Sequence, residues 1–416
     1  MNRLPRRAIV LAVAALAANG AYAQTQGERD VLREVSARRD GIAMHRPGLD
    51  LSLYGLLDFT FVSRNNADAA GDRLSNFDTP WFSGARWGIM GSRNLPDGAP
   101  SVIFKLEGEY VVATGNMDTP GTIFNRDAWV GFYGDALGKL TMGRQNTLAR
   151  DFAGNWGDPY TSDGQVTYEE RGWTNTNNFK QLINYAASPS GTRWDRGVVY
   201  KKQIGPFMAG VGHQFQSPGA GNDPVAGENN RNTSNSAGLA WNGGVFNVSG
   251  FYNQSDKSST AVTATQFKHK SYALGGNAGI GPMVRVFGGI FHYTAEQPAA
   301  FGNRSDNAWT LSARLAPPGK LDYELGYAHF KANNAGAQAS GGVVVMRNPY
   351  ADTTGITAVQ TGTKGTIYAS VFYHFDRSTE VYLVADRMKT KDGWADPRSF
   401  GKPDQNEFGI GIRTRF

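Results

Sequence analysis

The sequence of 416 residues contains no cysteine. Disulfide bonds, zinc–thiolate sites and cysteine nucleophiles are therefore excluded. A chain without disulfide bonds must take its stability from backbone pairing and buried surface. A closed sheet supplies both, because it leaves no strand edge unpaired.

Long hydrophobic runs are also missing beyond the first residues. The mean hydropathy is −0.42, and no later stretch has the ~20 apolar residues that a membrane-spanning helix needs. This excludes a helical membrane protein but leaves a β-barrel possible, since each barrel strand needs only about 10 alternating residues.

The net charge of +6 is small for this length, and no basic patch typical of nucleic-acid binding is present.

The first 23 residues predict a cleaved signal peptide. Three arginines within residues 3–7 form a positive start, residues 8–18 are apolar, and Ala21-Tyr22-Ala23 is a small-x-small cleavage site. The apolar run is too short to cross a bilayer. We therefore expect export, with a mature chain that begins at Gln24.

Residues 24–48 do not show a strand pattern. The segment 27–39 is highly charged and has three apolar residues at helical spacing, which fits a short amphipathic helix on the periplasmic side or a disordered segment equally well. Pro47-Gly48 separates this segment from the first strand. We predict a periplasmic N-terminal extension over 24–48 and a barrel domain over 49–416.

From Leu49 onward the chain alternates between apolar and polar residues. In the segment 51–61 one face carries leucine and phenylalanine, and the other carries Ser52, Tyr54 and Asp58. A period of two with one apolar face indicates a half-buried strand. The pattern predicts sixteen strands, at 49–63, 83–93, 101–112, 124–134, 138–147, 193–204, 207–216, 235–243, 244–255, 267–280, 283–295, 305–316, 320–332, 363–376, 379–389 and 405–416.

The connections between these strands alternate between short and long. Glycine, proline, asparagine and aspartate in the short ones favour tight turns. Short turns on one side and long loops on the other are typical of a transmembrane barrel, whereas a soluble sandwich would not alternate so regularly. The prediction is an all-β fold, a transmembrane antiparallel β-barrel of 16 strands. Its long loops are 64–82, 148–192, 217–234, 256–266, 333–362 and 390–404.

The last strand ends on an aromatic residue. Phe408, Ile410, Ile412 and Phe416 share one face of that strand. A terminal aromatic residue in this register suits the interfacial girdle of a barrel. We assign Phe416 as a C-terminal assembly signal.

Several ordered sequence blocks follow one another along the chain. They are the opening strand from Leu51, SGARWGIMGS at 83–92, FKLE at 104–107, FNRDAWVG at 124–131, GRQ at 143–145, IYAS at 367–370 and the final Phe416. Together these blocks resemble the general trimeric porins of β-proteobacterial outer membranes. The resemblance covers nearly the whole chain from Leu49, although the extension 24–48 is longer than is usual there, and Met90 stands where a second basic residue is often found.

The resemblance implies that a long loop, about 147–192, folds into the lumen and faces basic residues on the wall. The acids of this loop would then form one side of the pore constriction. They are Asp151, Asp158, Asp163, Glu169 and Glu170.

On the wall, the resemblance assigns Arg86 and Arg126 to the constriction, together with Arg144. Lys105, Glu107 and Glu109 alternate on one strand face, so we expect them to line the lumen as well. Arginines that face carboxylates across a narrow throat would set up a transverse electric field, and this field would make anions and cations pass at different rates.

The predicted function is an outer-membrane channel for passive diffusion of ions and small hydrophilic solutes. The sequence shows no nucleotide loop, metal cluster or catalytic triad, so no cofactor is expected and no enzyme is predicted. The resemblance implies a homotrimer, contacts with outer-membrane lipid and lipopolysaccharide, and insertion by the barrel-assembly machinery. A substrate-selective porin for sugars or organic acids, an outer-membrane enzyme and a soluble adhesin are the alternatives. Ion selectivity is left open.

Overall fold

The computed structural model describes residues 41–78, 80–157, 159, 181–216, 231–257, 265–350 and 355–416. The predicted signal peptide, residues 1–23, and most of the predicted extension lie outside them. The strands, in chain order, are β1 (Ile42–Arg46), β2 (Leu49–Arg64), β3 (Leu74–Asp78), β4 (Ala85–Arg93), β5 (Ser101–Tyr110), β6 (Asp127–Gly134), β7 (Gly138–Asn146), β8 (Arg193–Ile204), β9 (Phe207–Gln214), β10 (Ser234–Asn242), β11 (Phe246–Lys257), β12 (Phe267–Ile280), β13 (Val284–Ala295), β14 (Arg304–Leu315), β15 (Leu321–Ser340), β16 (Val343–Met346), β17 (Ala358–His374), β18 (Thr379–Lys391) and β19 (Asp404–Arg415).

Sixteen of these strands close into an antiparallel barrel, which confirms the predicted fold class. Each barrel strand pairs with the next along the chain, and β19 closes the barrel by pairing with β2, where Ile412 lies opposite Phe59. Closure leaves no barrel edge open to other chains. The remaining three strands, β1, β3 and β16, are short additions to β2 and β15 that the sequence pattern did not predict.

The alternation along each strand separates an apolar outer face from a polar inner face. In β2, Asp58 and Thr60 are buried on the inner side, while Phe61 on the outer side is 40% exposed. Further along the barrel, Ile290 and Leu311 are exposed on the outside. An apolar outer band with a polar interior is the pattern of a barrel that spans a membrane.

Strands β15 and β17 extend well beyond their predicted ends at 332 and 363. A bulge shifts the register between Ala332 and Ala335, and pairing resumes at Ala335, opposite Gln360. The chain then reverses at Gly341-Gly342, where both residues have positive φ, and returns as β16. Two such glycines favour a tight hairpin turn whose twist matches the flanking strands.

Both ends of the described chain pair with the same strand, β2. The Gly55 N–H donates to the Phe416 carbonyl at 2.8 Å, and the Phe416 N–H donates back at 3.1 Å. The ring of Phe416 covers Gly55 so closely that a Cβ there would lie 2.2 Å from it. Strand β1 pairs with β2 just beyond this point, with Ile42 opposite Leu53. The end of the predicted extension therefore forms a hairpin with the barrel.

Two short helices are described between β7 and β8, namely α1 (Leu148–Ala153) and α2 (Gln181–Asn184). Thr147 caps α1, because its hydroxyl accepts a hydrogen bond from the Arg150 backbone N–H. None of the described helices is long and apolar enough to cross a membrane.

Candidate functional site

The inner faces of β4 and β5 bring a group of charged side chains together with Arg126, which directly precedes β6. The ladder sets Arg86 opposite Glu109 on adjacent strands. Strand alternation then directs Lys105, Glu107 and Glu109 to the same inner face. These five residues, Arg86, Lys105, Glu107, Glu109 and Arg126, are called the throat cluster below.

Glu107 is the centre of the throat cluster. It accepts a hydrogen bond from the Tyr54 hydroxyl at 2.7 Å, and the Lys105 ammonium lies 3.2 Å away. Arg126 contacts Glu107 through Nε and Glu109 through Nη1. The Arg86 guanidinium lies 3.9 Å from Glu107. Cations of the wall are therefore paired with carboxylates of the same wall.

The acidic side chain of Asp151 in α1 binds to the neighbouring wall. It accepts hydrogen bonds from Lys201 Nζ at 2.7 Å and from Asn146 Nδ2 at 2.8 Å. It thus fixes α1 to β8 rather than facing the throat cluster. The other four predicted loop acids, Asp158, Asp163, Glu169 and Glu170, lie outside the described residues.

Arg150, the residue before Asp151, is a basic residue that the sequence analysis missed. Its Nη1 donates to Asn146 Oδ1 at 3.1 Å, its Nε is buried without a hydrogen-bond partner, and it makes no ion pair within the described part of the chain. Burial, followed by the nearby charge of Arg126, lowers the pKa of Arg150 from its usual value, although the guanidinium stays charged at neutral pH. The resemblance assigned only the acids of this loop to the constriction, so it did not point to the arginine.

The segment that follows α1 is held against the inner wall by aromatic side chains. Trp156 donates to the Ser249 hydroxyl at 3.0 Å. Its ring fills the space above Gly275 and Gly289, where a Cβ would lie 2.2 and 2.1 Å from ring atoms. Ser249 in turn donates to the Phe152 carbonyl at 2.7 Å. Because these two wall glycines have no side chains, the indole of Trp156 can pack directly against the wall at this point.

The other described end of the segment is anchored on a different part of the wall. The hydroxyl of Tyr185 donates to Asp306 at 3.0 Å, and its ring lies 5.9 Å from the ring of Phe291. Arg304 pairs with the same Asp306 at 2.6 Å. These contacts lie on β13 and β14, across the barrel from the throat cluster on β4 and β5.

Two further long loops also contact the inner wall. From the loop after β16, the Tyr350 hydroxyl accepts a hydrogen bond from Asn253 at 3.0 Å. From the last loop, Asp396 pairs with Lys364 at 2.9 Å, beside the buried Trp394. The resemblance had implied a single inward loop, so these contacts were not expected.

Arg144 does not belong to the throat cluster. The ladder sets it opposite Ala128, on the outer face of β7, where it pairs with Asp195. The residues of β7 that face the lumen next to it are Thr141 and Gln145, whose side chains are hydrogen-bonded to each other. The assignment of Arg144 to the constriction is therefore corrected, because strand alternation from Thr141 directs it away from the lumen.

A second charged network lies on the inner wall near the short turns. It alternates acids and bases across six neighbouring strands, from β2 through β19, β18, β17 and β15 to β14. This network is called the mouth ladder below, and its members are Asp58, Arg413, Glu380, His374, Asp322 and Arg314.

His374 is the middle cation of the mouth ladder. Its Nε2 lies 3.0 Å from Asp322 and its Nδ1 lies 2.9 Å from Glu380. A ring that faces a carboxylate acceptor at each nitrogen must carry a proton on both, so His374 is an imidazolium in this arrangement. Every member of the ladder is then adjacent to a member of opposite charge.

Comparison with known proteins identifies the family. The model of the Gram-negative porin family matches residues 10–393. The chain is 28% identical to an outer membrane porin protein of Bordetella pertussis over 248 residues, which are 55% of this chain and 60% of that protein. It is 29% identical to outer membrane porin protein 32 of Delftia acidovorans over 172 residues, 40% and 44% of the two chains. The matches thus span less than two thirds of these relatives.

Solved structures share the fold at lower sequence identity. An anion-selective porin from Comamonas acidovorans superposes with a TM-score of 0.62 at 18% identity, covering 88% of this chain and 100% of that one. OmpT of Vibrio cholerae gives a TM-score of 0.59 at 14% identity, with 90% and 100% covered. A trimer form of OmpT gives 0.56 at 15% identity, with 89% and 100% covered.

Proposed function

Because the chain belongs to the Gram-negative porin family, we propose that it forms a water-filled channel for passive diffusion of ions and small hydrophilic solutes across the outer membrane. The observation that carries this proposal is a closed barrel of sixteen strands with charged and polar side chains on its inner face. A barrel of this strand number leaves an aqueous lumen. Diffusion down a gradient requires no catalyst.

The throat of this channel lies between the throat cluster and the segment 147–192. The wall contacts of Trp156 and Tyr185 support this position, because they hold both described ends of that segment against the inside of the barrel. In this proposal the described parts of the segment, 147–157 and 181–192, narrow the lumen from the side that faces Arg86 and Arg126.

The throat favours anions. Arg150 supports this preference, since it adds a positive charge that forms no ion pair with a carboxylate of the described residues. Each carboxylate of the throat cluster is already engaged by a wall cation. A fixed excess positive charge in a narrow, partly desolvated passage attracts anions and repels cations.

A substrate-selective channel receives less support. Aromatic side chains that are open to the lumen would support such a channel. In the part of the chain that the structure describes, the inward aromatic residues Trp156, Tyr185 and Trp394 are instead buried as anchors of loops. A solute in transit has no access to these faces.

The channel acts as a homotrimer, and lipid surrounds its outer face. The trimer form of the structurally similar OmpT supports this assembly. Native mass measurement of the detergent-solubilised protein tests it, with three chains per particle expected. A single chain per particle would contradict it.

Planar bilayer recording tests the proposed function. Insertion of the purified protein should give stepwise conductance that rises in proportion to the KCl concentration. Neutral sugars should reduce the conductance to an extent that depends only on the size of the sugar. Silence of the bilayer would contradict the channel, and saturable block by one sugar or organic acid would favour the substrate-selective alternative.

A further inference from the structure

A partly open cavity lies between α1 and the inner wall, next to the throat cluster. The inner faces of β6, β7 and β8 form its wall, and Asp151 of α1 lies against it. Its empty volume, counted up to the open side, is about 340 Å³. This space is called the side cavity below, and its wall includes Asp127, Trp129, Lys139, Val199 and Lys201.

One part of the side cavity carries a carboxylate that accepts no hydrogen bond. Asp127 is 1% exposed, and both of its carboxylate oxygens are buried without a hydrogen-bond partner among the described residues. Its ion pair with Lys105 leaves Oδ2 and Nζ 3.5 Å apart. A carboxylate has about four acceptor sites, and a buried one whose sites stay empty is costly. Asp127 therefore suits a ligand that donates hydrogen bonds.

Another part of the side cavity carries two positive charges. Lys139 and Lys201 lie directly opposite each other on β7 and β8. The Lys139 ammonium lies 5.0 Å from the centre of the Trp129 ring, and the Lys201 ammonium donates to Asp151 at 2.7 Å. Like charges directly opposite on neighbouring strands repel each other. An anionic group that accepts hydrogen bonds from both lysines would reduce this repulsion.

These two parts together do not suit a simple ion. An anion alone would bring its charge close to Asp127 and Asp151, and a cation alone would bring its charge close to the two lysines. A molecule with one ammonium and one carboxylate can form a charge-assisted hydrogen bond with each part and adds no net charge. Trp129 and Val199 add apolar surface, which suits a short hydrocarbon side chain.

We propose that the side cavity binds small zwitterionic solutes of the α-amino-acid class. The ammonium of the solute donates to Asp127, and its carboxylate accepts from Lys139 and Lys201. This inference rests on the proposed channel function, because the solute reaches the side cavity through the lumen. It adds a class of solute that the channel retains on one side of its throat.

The test is equilibrium dialysis of radiolabelled L-alanine against the full-length barrel in detergent. Asp127→Asn removes the charge that pairs with the ammonium, so affinity should fall about ten-fold or more. Val199→Phe fills the side cavity without changing a charge, and it should also weaken binding about ten-fold or more. The matched control Asp386→Asn removes a buried carboxylate from the inner face of β18. It should change the affinity by less than about two-fold.

Acetate and methylamine each carry one of the two charged groups, and they test the wild-type protein without any substitution. Each should bind at least about ten-fold more weakly than alanine. Three results would overturn the proposal: no binding of alanine, which would leave water as the occupant; equal affinity for alanine and either fragment; or an equal loss in Asp127→Asn and Asp386→Asn.

Bilayer conductance of the same wild-type sample keeps this proposal apart from the channel function. A protein that conducts but binds no alanine would overturn the binding site and leave the channel standing. A protein that binds alanine but gives no conductance would contradict the channel, and with it the route by which the solute reaches the side cavity.

Discussion

The throat cluster and the mouth ladder are both built from charged side chains on the inner wall, but they balance their charges differently. In the mouth ladder, Asp58, Arg413, Glu380 and their neighbours alternate in sign across adjacent strands. In the throat cluster Arg86, Lys105 and Arg126 contact Glu107 and Glu109, and Lys105 also lies 3.5 Å from Asp127, so three cations face three carboxylates. Arg150 adds a further cation from α1.

This difference separates a structural role from a functional one. Alternating charges cancel over a short distance, so the mouth ladder exerts only a weak electric field on a passing ion. Its ion pairs instead stabilise the contacts between neighbouring strands. The throat keeps an excess of positive charge because α1 brings Arg150 toward Arg126, which costs free energy of folding. Such a cost is expected where the charge serves transport.

The largest expected effect comes from removing the anchor beneath the throat. Trp156→Ala should lower the free energy of unfolding by about 4 kcal/mol, because it empties the space above Gly275 and Gly289. Urea unfolding in detergent micelles measures the loss, and single-channel recordings should become noisier because the segment is no longer held to the wall.

Ser249→Ala is the control for this change. It keeps the indole above Gly275 and Gly289 and removes the hydrogen bonds that the serine hydroxyl makes with Trp156 and with the Phe152 carbonyl, so about 2 kcal/mol should be lost. Equal losses for both variants would show that these hydrogen bonds, and not the filled space, hold the segment.

Next in size is a break in the mouth ladder. Arg413→Gln leaves Glu380 and Asp58 buried beside no arginine, which should lower the free energy of unfolding by about 3 kcal/mol. Ion preference should stay unchanged. A shift in reversal potential without a loss of stability would contradict this, because it would give the mouth ladder the role in ion preference that we assign to the throat cluster.

The effect on stability should be smallest for Arg150→Gln. The free energy of unfolding should change by less than about 1 kcal/mol, since the arginine makes one side-chain hydrogen bond and no ion pair in the described chain. The ratio of anion to cation permeability should nevertheless fall about two-fold or more. Lys202→Gln, which removes a cation from the outer side of β8, is the control, and an equal fall there would indicate a general charge effect.

Much of the fold could be predicted from the sequence, because strand alternation is a local signal. Leu51 to Phe61 already separates the inner face from the outer one. The extension of β15 and β17 was missed, although Gly341-Gly342 is a recognisable hairpin signal. Its residues were assigned to a loop because they lie beyond the membrane, where apolar alternation is weak.

The site was less predictable, since its contacts join distant parts of the chain. Nothing near Trp156 indicates that Gly275 and Gly289 will receive its ring. By contrast, the outward direction of Arg144 could have been predicted by counting alternate residues from Thr141. The resemblance identified the motif that contains Arg144 but did not show which face of the strand its side chain occupies.

The central claim is that the wall arginines of the throat set ion preference and those of the mouth ladder do not. The reversal potential across a KCl gradient, measured for the wild type, Arg126→Ala and Arg413→Gln, tests it directly. Removal of Arg126 takes away the cation that contacts both Glu107 and Glu109, so the reversal potential should move toward the cation side, while Arg413→Gln should match the wild type. An unchanged reversal potential in Arg126→Ala, or an equal shift in both variants, would contradict the account.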